Sequence, residues 1–320
     1  MKVGLIINSP ECGHWTSYYV KDNVAYLPNG TPYNGPGKSD GIDCKVFRNI
    51  WNRTFMGDEG YFIKPSEGFP DIDLDIIFVV FEHSGDVESF VKSIRLKYKN
   101  AILIGTTKEA IPGLDTKPVT GLQKLFNLCD RVAIQFNEQI CDSLSKKMKL
   151  KIHSLPIPYK LDYIRSKYKT NNNEKLILAG ACSWDSRRGY NDCLEISNYL
   201  ANKYGYKVVE NTADKSWHEW LQLIDRVSFV INTDTQHRLG QVTIESIALG
   251  TPHLGGLSDT IKTIIPTWAT NNKKDIESLF CNILETNYDL TDQYFYEKLN
   301  KRYNFRILNK KLKSIIEEVK

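Results

Sequence analysis

Short apolar runs alternate with longer amphipathic stretches along most of the chain. The apolar runs are continuous in Val, Ile, Leu and Phe, which is typical of parallel strands covered on both faces. They lie at 3–8, 74–81, 100–105, 131–136, 175–180, 206–211 and 226–232. Helical patterns occur at 86–99, 137–148, 189–204, 216–225, 241–249, 273–286 and 303–319. This alternation predicts an α/β protein with doubly wound parallel sheets.

A polar segment in the middle of the chain predicts a domain boundary. The segment KYKTNNNEK at 167–175 has three consecutive Asn residues and directly precedes an apolar run. A chain of 320 residues suits two domains of about 150 residues each. We therefore predict two Rossmann-like domains, 1–167 and 168–302, and an amphipathic C-terminal helix at 303–320 that crosses back onto the first domain.

Composition and charge exclude several classes of protein. Hydrophobic residues make up 41% and charged residues 25%, which is ordinary for a globular protein. A net charge of +4 permits an anionic ligand but is small for a dedicated nucleic-acid-binding protein. No apolar run approaches the roughly 18 residues of a membrane span, and the start of the chain lacks the pattern of a signal peptide. Seven cysteines without a CxxC pair predict reduced thiols in a cytoplasmic protein.

The segment RLGQVTIESIALGTPHLGG at 238–256 places a single acid among small and apolar residues. Gly240 would let the backbone approach a ligand closely, and the N–H groups of Gln241 and Val242, at a helix start, would point at a diphosphate. Glu245 lies about one helical turn further on, where its carboxylate can accept hydrogen bonds from both hydroxyls of a ribose. A buried acid without a partner is costly, and a diol ligand would supply that partner.

A second anion-binding pattern lies at 180–196, where a strand leads through a short loop into a helix. Arg187 and Arg188 precede Gly189 near the helix start, a position at which arginine side chains and backbone N–H groups bind anions. Ser183 lies in the same loop and is a further candidate donor-binding residue. The alternative is a pair of solvated arginines.

Weaker features in the N-terminal half leave alternatives open. Gly13 either lets the backbone contact a ligand or is an ordinary turn glycine, and the missing GxGxxG pattern argues against a nicotinamide or flavin dehydrogenase. His83 follows an apolar strand, where it either contacts a ligand or only caps the strand. The Gly-, Pro- and Asn-rich segment 27–41 is a surface loop or a flap facing the acceptor. The acids at 71–75 predict a solvated strand entrance, and we predict no metal site.

These motifs resemble those of retaining glycosyltransferase family four, which uses nucleotide sugars and has the two-domain GT-B fold. The family pattern is a Glu, seven residues, a second Glu, and then Ala-x-Gly-x-Pro. The chain matches it at Gly240, Glu245, Ser246, Ala248, Gly250, Thr251 and Pro252. The segment 129–159 is similar to the end of the family's N-terminal domain, and Arg188 with Gly189 matches the residues that bind the donor diphosphate.

Two positions depart from the family pattern. The first acid of the Glu pair is replaced by His237, which would then face the transferred sugar and alter the choice of donor, for example toward a pentose. The arginine expected directly after the strand glycine is Ala181, which leaves Arg187 as a substitute.

The resemblance implies an enzyme that transfers a sugar from a nucleoside diphosphate to a hydroxyl with retention of anomeric configuration. It implies two Rossmann-like domains facing a cleft, and neither a metal nor a resident cofactor, the nucleotide sugar being the donor substrate. Arg188 and Arg187 would stabilise the leaving diphosphate, Glu245 would hold the ribose, and His83 would contact the sugar.

The acceptor, the oligomeric state and two other activities stay open at this point. The acceptor is a saccharide, a small molecule or a hydroxymethylated base in viral DNA. The basic runs 92–99 and 145–151 indicate either an anionic acceptor or solvated helix faces. The alternatives to a transferase are a sugar-nucleotide epimerase of the same fold and a non-catalytic protein that binds nucleotide sugars, the latter favoured by His237.

Overall fold

A computed structural model of the protein describes residues 1–8, 17–21, 24–27, 29–31, 57–81, 86–107, 120–170, 174–182, 189–211, 217–235, 240–286 and 288–318. The chain forms two compact units, Met1–Tyr159 with Phe305–Lys320, and Lys160–Asn304. The second unit begins at Lys160, before the predicted boundary at 167/168. The reason is that the helix Leu161–Tyr168 packs on other helices of the second unit.

The described sheet of the first unit has eight strands in the order β3-β2-β4-β1-β5-β6-β7-β8. The strands are β1 Lys2–Asn8, β2 Tyr18–Lys21, β3 Val24–Tyr26, β4 Glu59–Ile63, β5 Ile76–Phe81, β6 Ile102–Gly105, β7 Arg131–Ile134 and β8 His153–Ser154. Strand β2 is antiparallel to both of its neighbours, whereas the strands from β4 to β8 are parallel. The predicted parallel sheet is therefore present, and at this edge it carries an additional antiparallel pair, since the short link between β2 and β3 permits only antiparallel pairing.

The described residues contain eleven α-helices, most of which alternate with the strands. They are α1 Val87–Lys97, α2 Thr120–Leu128, α3 Glu138–Met148, α4 Leu161–Tyr168, α5 Tyr190–Tyr204, α6 Trp217–Arg226, α7 Gln241–Leu249, α8 Asp259–Ile264, α9 Lys273–Glu285, α10 Tyr288–Tyr303 and α11 Phe305–Glu317. On α11, Leu308, Leu312 and Ile315 recur at helical spacing and join the apolar cluster that contains Val3 and Leu5. The last helix thus packs on the sheet of the first unit.

The second unit has a parallel sheet in the order β10-β9-β11-β12. Its strands are β9 Glu174–Cys182, β10 Lys207–Asn211, β11 Val227–Ile231 and β12 His253–Leu254. Ile177 and Phe229 of these strands pack with Leu200 of α5 and Phe280 of α9, all of them buried. Each central strand is therefore covered by apolar side chains from helices, as its continuous apolar sequence predicts.

Candidate functional site

Helices of the second unit follow the carboxyl ends of its strands: α5 follows β9, α6 follows β10, α7 follows β11 and α8 follows β12. Two hydrogen bonds connect the loops at this edge: Thr233 Oγ1 donates to the carbonyl of Gly189 at 2.7 Å, and the N–H of Leu257 donates to the carbonyl of Asp234 at 2.8 Å. Ligands of open α/β sheets bind at this edge.

Two of these helices begin at a glycine without a side-chain cap. Gly189 before α5 and Gly240 before α7 both have left-handed backbone, with φ of 67° and 78°. Helices α1, α3 and α9 are instead capped by Asp86, Asn137 and Asn272, whose side chains accept bonds from first-turn N–H groups. First-turn N–H groups have no acceptor within their own helix and carry partial positive charge, so α5 and α7 present suitable anion-binding ends.

Gly240 is also required by packing. A Cβ atom at this position would collide with Ser258 Oγ, the N-cap of α8. The sequence predicts that this glycine lets the backbone approach a ligand closely. Packing against Ser258 requires a glycine here even without a ligand. The close approach to Ser258 places the start of α7 directly beside α8.

The first turn of α7 carries an unused hydrogen-bond donor. Gln241 and Val242 are half-buried, and no side-chain cap satisfies the helix start. The Nε2 atom of Gln241 is itself buried and makes no hydrogen bond with the described part of the chain. A buried donor without a partner is costly, so a ligand oxygen near the start of α7 would be stabilising.

Glu245 is fully buried on the second turn of α7 and has a protein partner. Its Oε2 accepts a hydrogen bond of 2.8 Å from the indole N–H of Trp220, a residue of α6 that is itself 2% exposed. The acid therefore does not depend on a ligand for its presence in the core, contrary to the premise drawn from the sequence. The sequence gives no local sign of this contact, because Trp220 is only one of several apolar residues on the inner face of α6.

A buried polar group lies under α7. His253 of β12 is 1% exposed, and its Nε2 lies 3.2 Å from Thr243 Oγ1, which in turn lies 3.4 Å from Ser258 Oγ. Burial lowers the pKa of His253 to about 3, so the ring is neutral at physiological pH. Its Nδ1 has no hydrogen-bond partner among the described residues. His253 is not among the residues that the sequence predicts for the site.

The remaining candidate residues lie outside the described part of the chain. They are Gly13, His83, Ser183, Arg187, Arg188 and His237. The loop segment 27–41 is also mostly outside it. Of the candidates, the structure thus brings together the four on α7 and at its start.

The acids at 71–75 lie at a strand entrance, as predicted. Asp71, Asp73 and Asp75 are exposed, and Asp75 Oδ2 accepts a bond of 2.6 Å from the N–H of Lys2. Within the described ranges, no group of three or more His, Cys, Asp or Glu side chains is placed to hold a metal ion.

The two basic runs are partly neutralised by ion pairs within the first unit. Arg95 lies 2.7 Å from Asp130, and Lys97 lies 2.7 Å from Asp71. Lys151 pairs with Glu318. These charges therefore give no separate indication of an anionic acceptor.

Comparison with solved structures decides the fold. An α-glucosyltransferase in complex with UDP aligns with a TM-score of 0.54 at 12% identity, over 80% of this chain and 86% of that chain. An α,α-trehalose-phosphate synthase (UDP-forming) from Burkholderia vietnamiensis aligns with a TM-score of 0.59 at 9% identity, over 85% and 75%. The fold is GT-B. The pneumococcal O-GlcNAc transferase GtfA, in complex with UDP and GlcNAc, aligns with a TM-score of 0.55 at 12% identity, over 94% and 69%.

Sequence comparisons add no family assignment to this fold. No protein-family profile and no curated protein matches the chain. In the described residues, no helix is long and apolar enough to cross a membrane. Solved structures with a similar fold include glycosyltransferases in complex with UDP or a UDP-sugar, one of them an α-glucosyltransferase in complex with UDP-glucose and DNA containing an abasic site.

Proposed function

We propose that this protein is a glycosyltransferase that moves a sugar, with retention of configuration, from a nucleoside diphosphate to a hydroxyl acceptor. The observation that carries the proposal is the pair of glycine-capped helices, α5 and α7, at the carboxyl edge of the sheet of the second unit. Both helix starts lack a side-chain cap, and α7 has no acid in its first turn, so a diphosphate fits there. The similarity in fold to glycosyltransferases that bind UDP supports the same ligand class.

The described residues suggest how the donor would bind. The N–H groups of Gln241 and Val242, with the unused Nε2 of Gln241, would donate to diphosphate oxygens. Glu245, one turn further along α7, would accept bonds from the ribose hydroxyls. Because Glu245 has no exposed surface in this structure, the ribose can reach the carboxylate only when the side chains that cover it move.

The roles of the other candidates rest on the resemblance to family four. Arg188, with Arg187 beside it, would stabilise the charge that grows on the diphosphate as the sugar leaves. Gly13 and Ser183 would lie near the donor phosphates, and His83 and His237 near the sugar. The acceptor hydroxyl would attack from the face that the diphosphate leaves, and a diphosphate oxygen would take its proton.

The acceptor class is a further part of the proposal. A solved structure of an α-glucosyltransferase contains UDP and DNA with a hydroxymethylated base, so such a base in viral DNA is one acceptor to test beside saccharides and small molecules. The partial neutralisation of the basic runs favours none of these classes.

A ligand panel tests the donor site. We expect UDP, GDP or ADP to raise the melting temperature of the protein, and one base to raise it most. Glu245→Gln keeps an acceptor for Trp220 but places an amide donor where a ribose hydroxyl needs an acceptor. The preferred diphosphate should therefore bind this variant more weakly by about 1–3 kcal/mol, measured by titration calorimetry.

Glu297→Ala is the matched control for this change. Glu297 is an exposed acid of α10 whose Oε1 accepts a hydrogen bond of 3.1 Å from Gln293, one turn earlier on the same helix, and its removal should leave diphosphate affinity unchanged. A folded Glu245→Gln variant with wild-type affinity would remove Glu245 from the donor site. Absence of a shift with every diphosphate and nucleotide sugar would contradict the proposed function itself.

A further inference from the structure

Three buried polar side chains lie at the carboxyl edge of the sheet of the first unit. Thr106 and Thr107 follow β6, and Gln135 follows β7, which is its neighbour in the sheet. They are 1%, 4% and 3% exposed. The Oγ1 atoms of both threonines and Oε1 of Gln135 are buried and make no hydrogen bond with the described part of the chain. Buried polar atoms are nearly always hydrogen-bonded, so three unused ones at one edge of a sheet indicate a ligand.

Thr106 and Gln135 lie on the same face of this sheet. The N–H of Thr106 donates to the carbonyl of Val79 at 3.0 Å, so the ladder between β5 and β6 continues to this residue. A Cβ atom at Gly105 would collide with an aromatic ring of α2, so Thr106, one residue later, faces the opposite side. Gln135 lies two residues after Ala133, which belongs to the apolar cluster on that side, beneath α11. The two polar side chains therefore lie side by side where this face ends.

The described segments that follow β6, β7 and β8 carry no charge. Residues 106–107, 135–137 and 155–159 include no Asp, Glu, Lys, Arg or His. At the amino edge of the sheet, in contrast, Asp130 accepts bonds of 2.7 Å from both Arg95 and a backbone N–H of β6. The charged groups at the amino edge are thus satisfied within the protein, whereas the unused polar atoms at the carboxyl edge are neutral.

The three unused atoms restrict the chemistry of a ligand. Oε1 of Gln135 only accepts hydrogen bonds, whereas a threonine hydroxyl both donates and accepts. A carboxylate or a fully ionised phosphate supplies acceptors alone and leaves Gln135 without a donor, and an ammonium group supplies donors alone. The hydroxyls of a sugar supply both, and an uncharged sugar needs no opposite charge where water is excluded.

We propose that Thr106, Thr107 and Gln135 bind the hydroxyls of an uncharged saccharide. That this saccharide is the acceptor rests on the proposed function, whereas its binding at this edge does not. Ligands of open α/β sheets bind at the carboxyl edge, and the residual exposure of Thr107 and Gln135 places these atoms directly below the surface there. Binding requires a displacement of the side chains that cover the atoms, and the hydrogen bonds gained compensate for it.

The proposal predicts opposite effects on stability and on binding. Thr106→Val replaces the hydroxyl by a methyl group, and Gln135→Met replaces the amide by a thioether of similar length. Because the atoms removed are buried without a partner in the described chain, each change should raise the melting temperature of the free protein, by about 2–4 °C. Each change should also weaken the binding of the saccharide. A side chain needed only for the fold would lower the melting temperature when it is replaced.

The experiment titrates the full chain with glucose, N-acetylglucosamine, maltose and lactose, followed by NMR, without a donor and with UDP. Glucose 6-phosphate and duplex DNA are the anionic probes. We expect a neutral saccharide to bind, and glucose 6-phosphate to bind more weakly than glucose. Thr106→Val and Gln135→Met should each raise the dissociation constant of that saccharide about fivefold, the effect of one neutral hydrogen bond. Thr106→Ser keeps the hydroxyl and should stay within about twofold of the wild type.

Thr260→Val is the matched control. Thr260 is fully buried in the second unit, and its hydroxyl lies 2.8 Å from the hydroxyl of Tyr303, so the same change here removes a satisfied hydrogen bond. It should lower the melting temperature and leave saccharide affinity unchanged. Thr107→Val is the second variant where Thr106→Val does not fold, and it should weaken binding in the same way.

The outcomes separate this proposal from the proposed function. Variants with a raised melting temperature and wild-type saccharide affinity would show that buried water satisfies these atoms, which overturns the proposal. A wild-type protein that binds none of the neutral saccharides, or that prefers glucose 6-phosphate to glucose, would also overturn it, as would DNA binding that Thr106→Val and Gln135→Met weaken. Saccharide binding without any binding of nucleoside diphosphates would instead contradict the proposed function and leave this site in place.

Discussion

At the residue scale, the main question is how the buried carboxylate of Glu245 is stabilised. A fully buried carboxylate needs hydrogen-bond donors, and Trp220 is one of them. The low dielectric around it strengthens every further hydrogen bond that it accepts. A ribose that reaches this carboxylate would therefore be bound more tightly, and more selectively, than at an exposed acid.

His237 is the residue at which donor selection can be tested. A neutral imidazole accepts with one nitrogen and donates with the other, whereas a carboxylate only accepts. His237→Glu should therefore change the ranking of donor sugars, measured as kcat/KM, while the affinity for the bare diphosphate stays within about tenfold. An unaltered ranking in the folded variant would mean that His237 does not face the sugar.

The residues of the site differ in how far the sequence predicts them. Gly240, Gln241, Val242 and Glu245 follow one another along a single helix, so a local pattern places them correctly on its first turns. The contact with Trp220 joins residues 25 positions apart in sequence, on two different helices, and no local spacing encodes it. The local pattern therefore predicts a ligand as the partner of Glu245 and does not predict the indole of Trp220.

At the scale of elements, helix α7 is the part most closely fitted to its surroundings. All its residues from Thr243 to Leu249 are buried, and the hydroxyls of Thr243 and Ser246 form hydrogen bonds within the second unit. Thr243 connects α7 to His253 on β12 and to Ser258 at the start of α8. The position of the proposed diphosphate site thus depends on a buried histidine beneath it.

This histidine makes stability dependent on pH. Burial lowers the pKa of His253 to about 3 from the ordinary 6.5, so the unfolded chain takes up the proton first as the pH falls below 6.5. Stability is therefore lost between pH 6.5 and about 3. Relative to His253→Gln, which does not titrate, the wild type should lose about 2 kcal/mol more between pH 7 and pH 5 in denaturant unfolding, the value given by linkage.

Other titratable groups contribute equally to the pH dependence of unfolding in the wild type and in His253→Gln. Their contributions cancel when the two free energies of unfolding are subtracted. If the free energy of unfolding falls equally in the wild type and in His253→Gln over this pH range, His253 is not buried as a neutral ring. The measurement uses the full chain and does not require a ligand.

The elements with a regular apolar pattern are predictable from the sequence, and the others are not. Each predicted strand and helix has a counterpart whose ends differ by a few residues. The strands β2 and β3 are too short to show a pattern. Helix α10 directs Asp292 inward together with apolar residues, and Asp292 is 5% exposed because Arg165 and Lys169 each approach it to 2.6 Å. A buried acid of this kind interrupts the regular spacing of apolar residues by which a helix is predicted from sequence.

At the scale of the whole molecule, the order of elements predicts parallel α/β sheets, the motif at 240–252 resembles that of GT-B glycosyltransferases, and the similarity to solved structures shows the GT-B fold. The fold alone does not determine chemistry, because one fold can support many activities. The identity of the acceptor therefore needs direct measurement, as do the roles of the residues outside the described part of the chain.

The slow hydrolysis of a donor is the most direct test of transfer with retention. Water takes the place of the acceptor, and proton NMR follows the diphosphate and the anomer of the sugar that is released before mutarotation. From an α-linked donor that binds in the ligand panel, we predict release of the nucleoside diphosphate together with the α-anomer, and slower release by Glu245→Gln. Release of the β-anomer first, or no diphosphate from any donor that binds, would contradict a retaining glycosyltransferase.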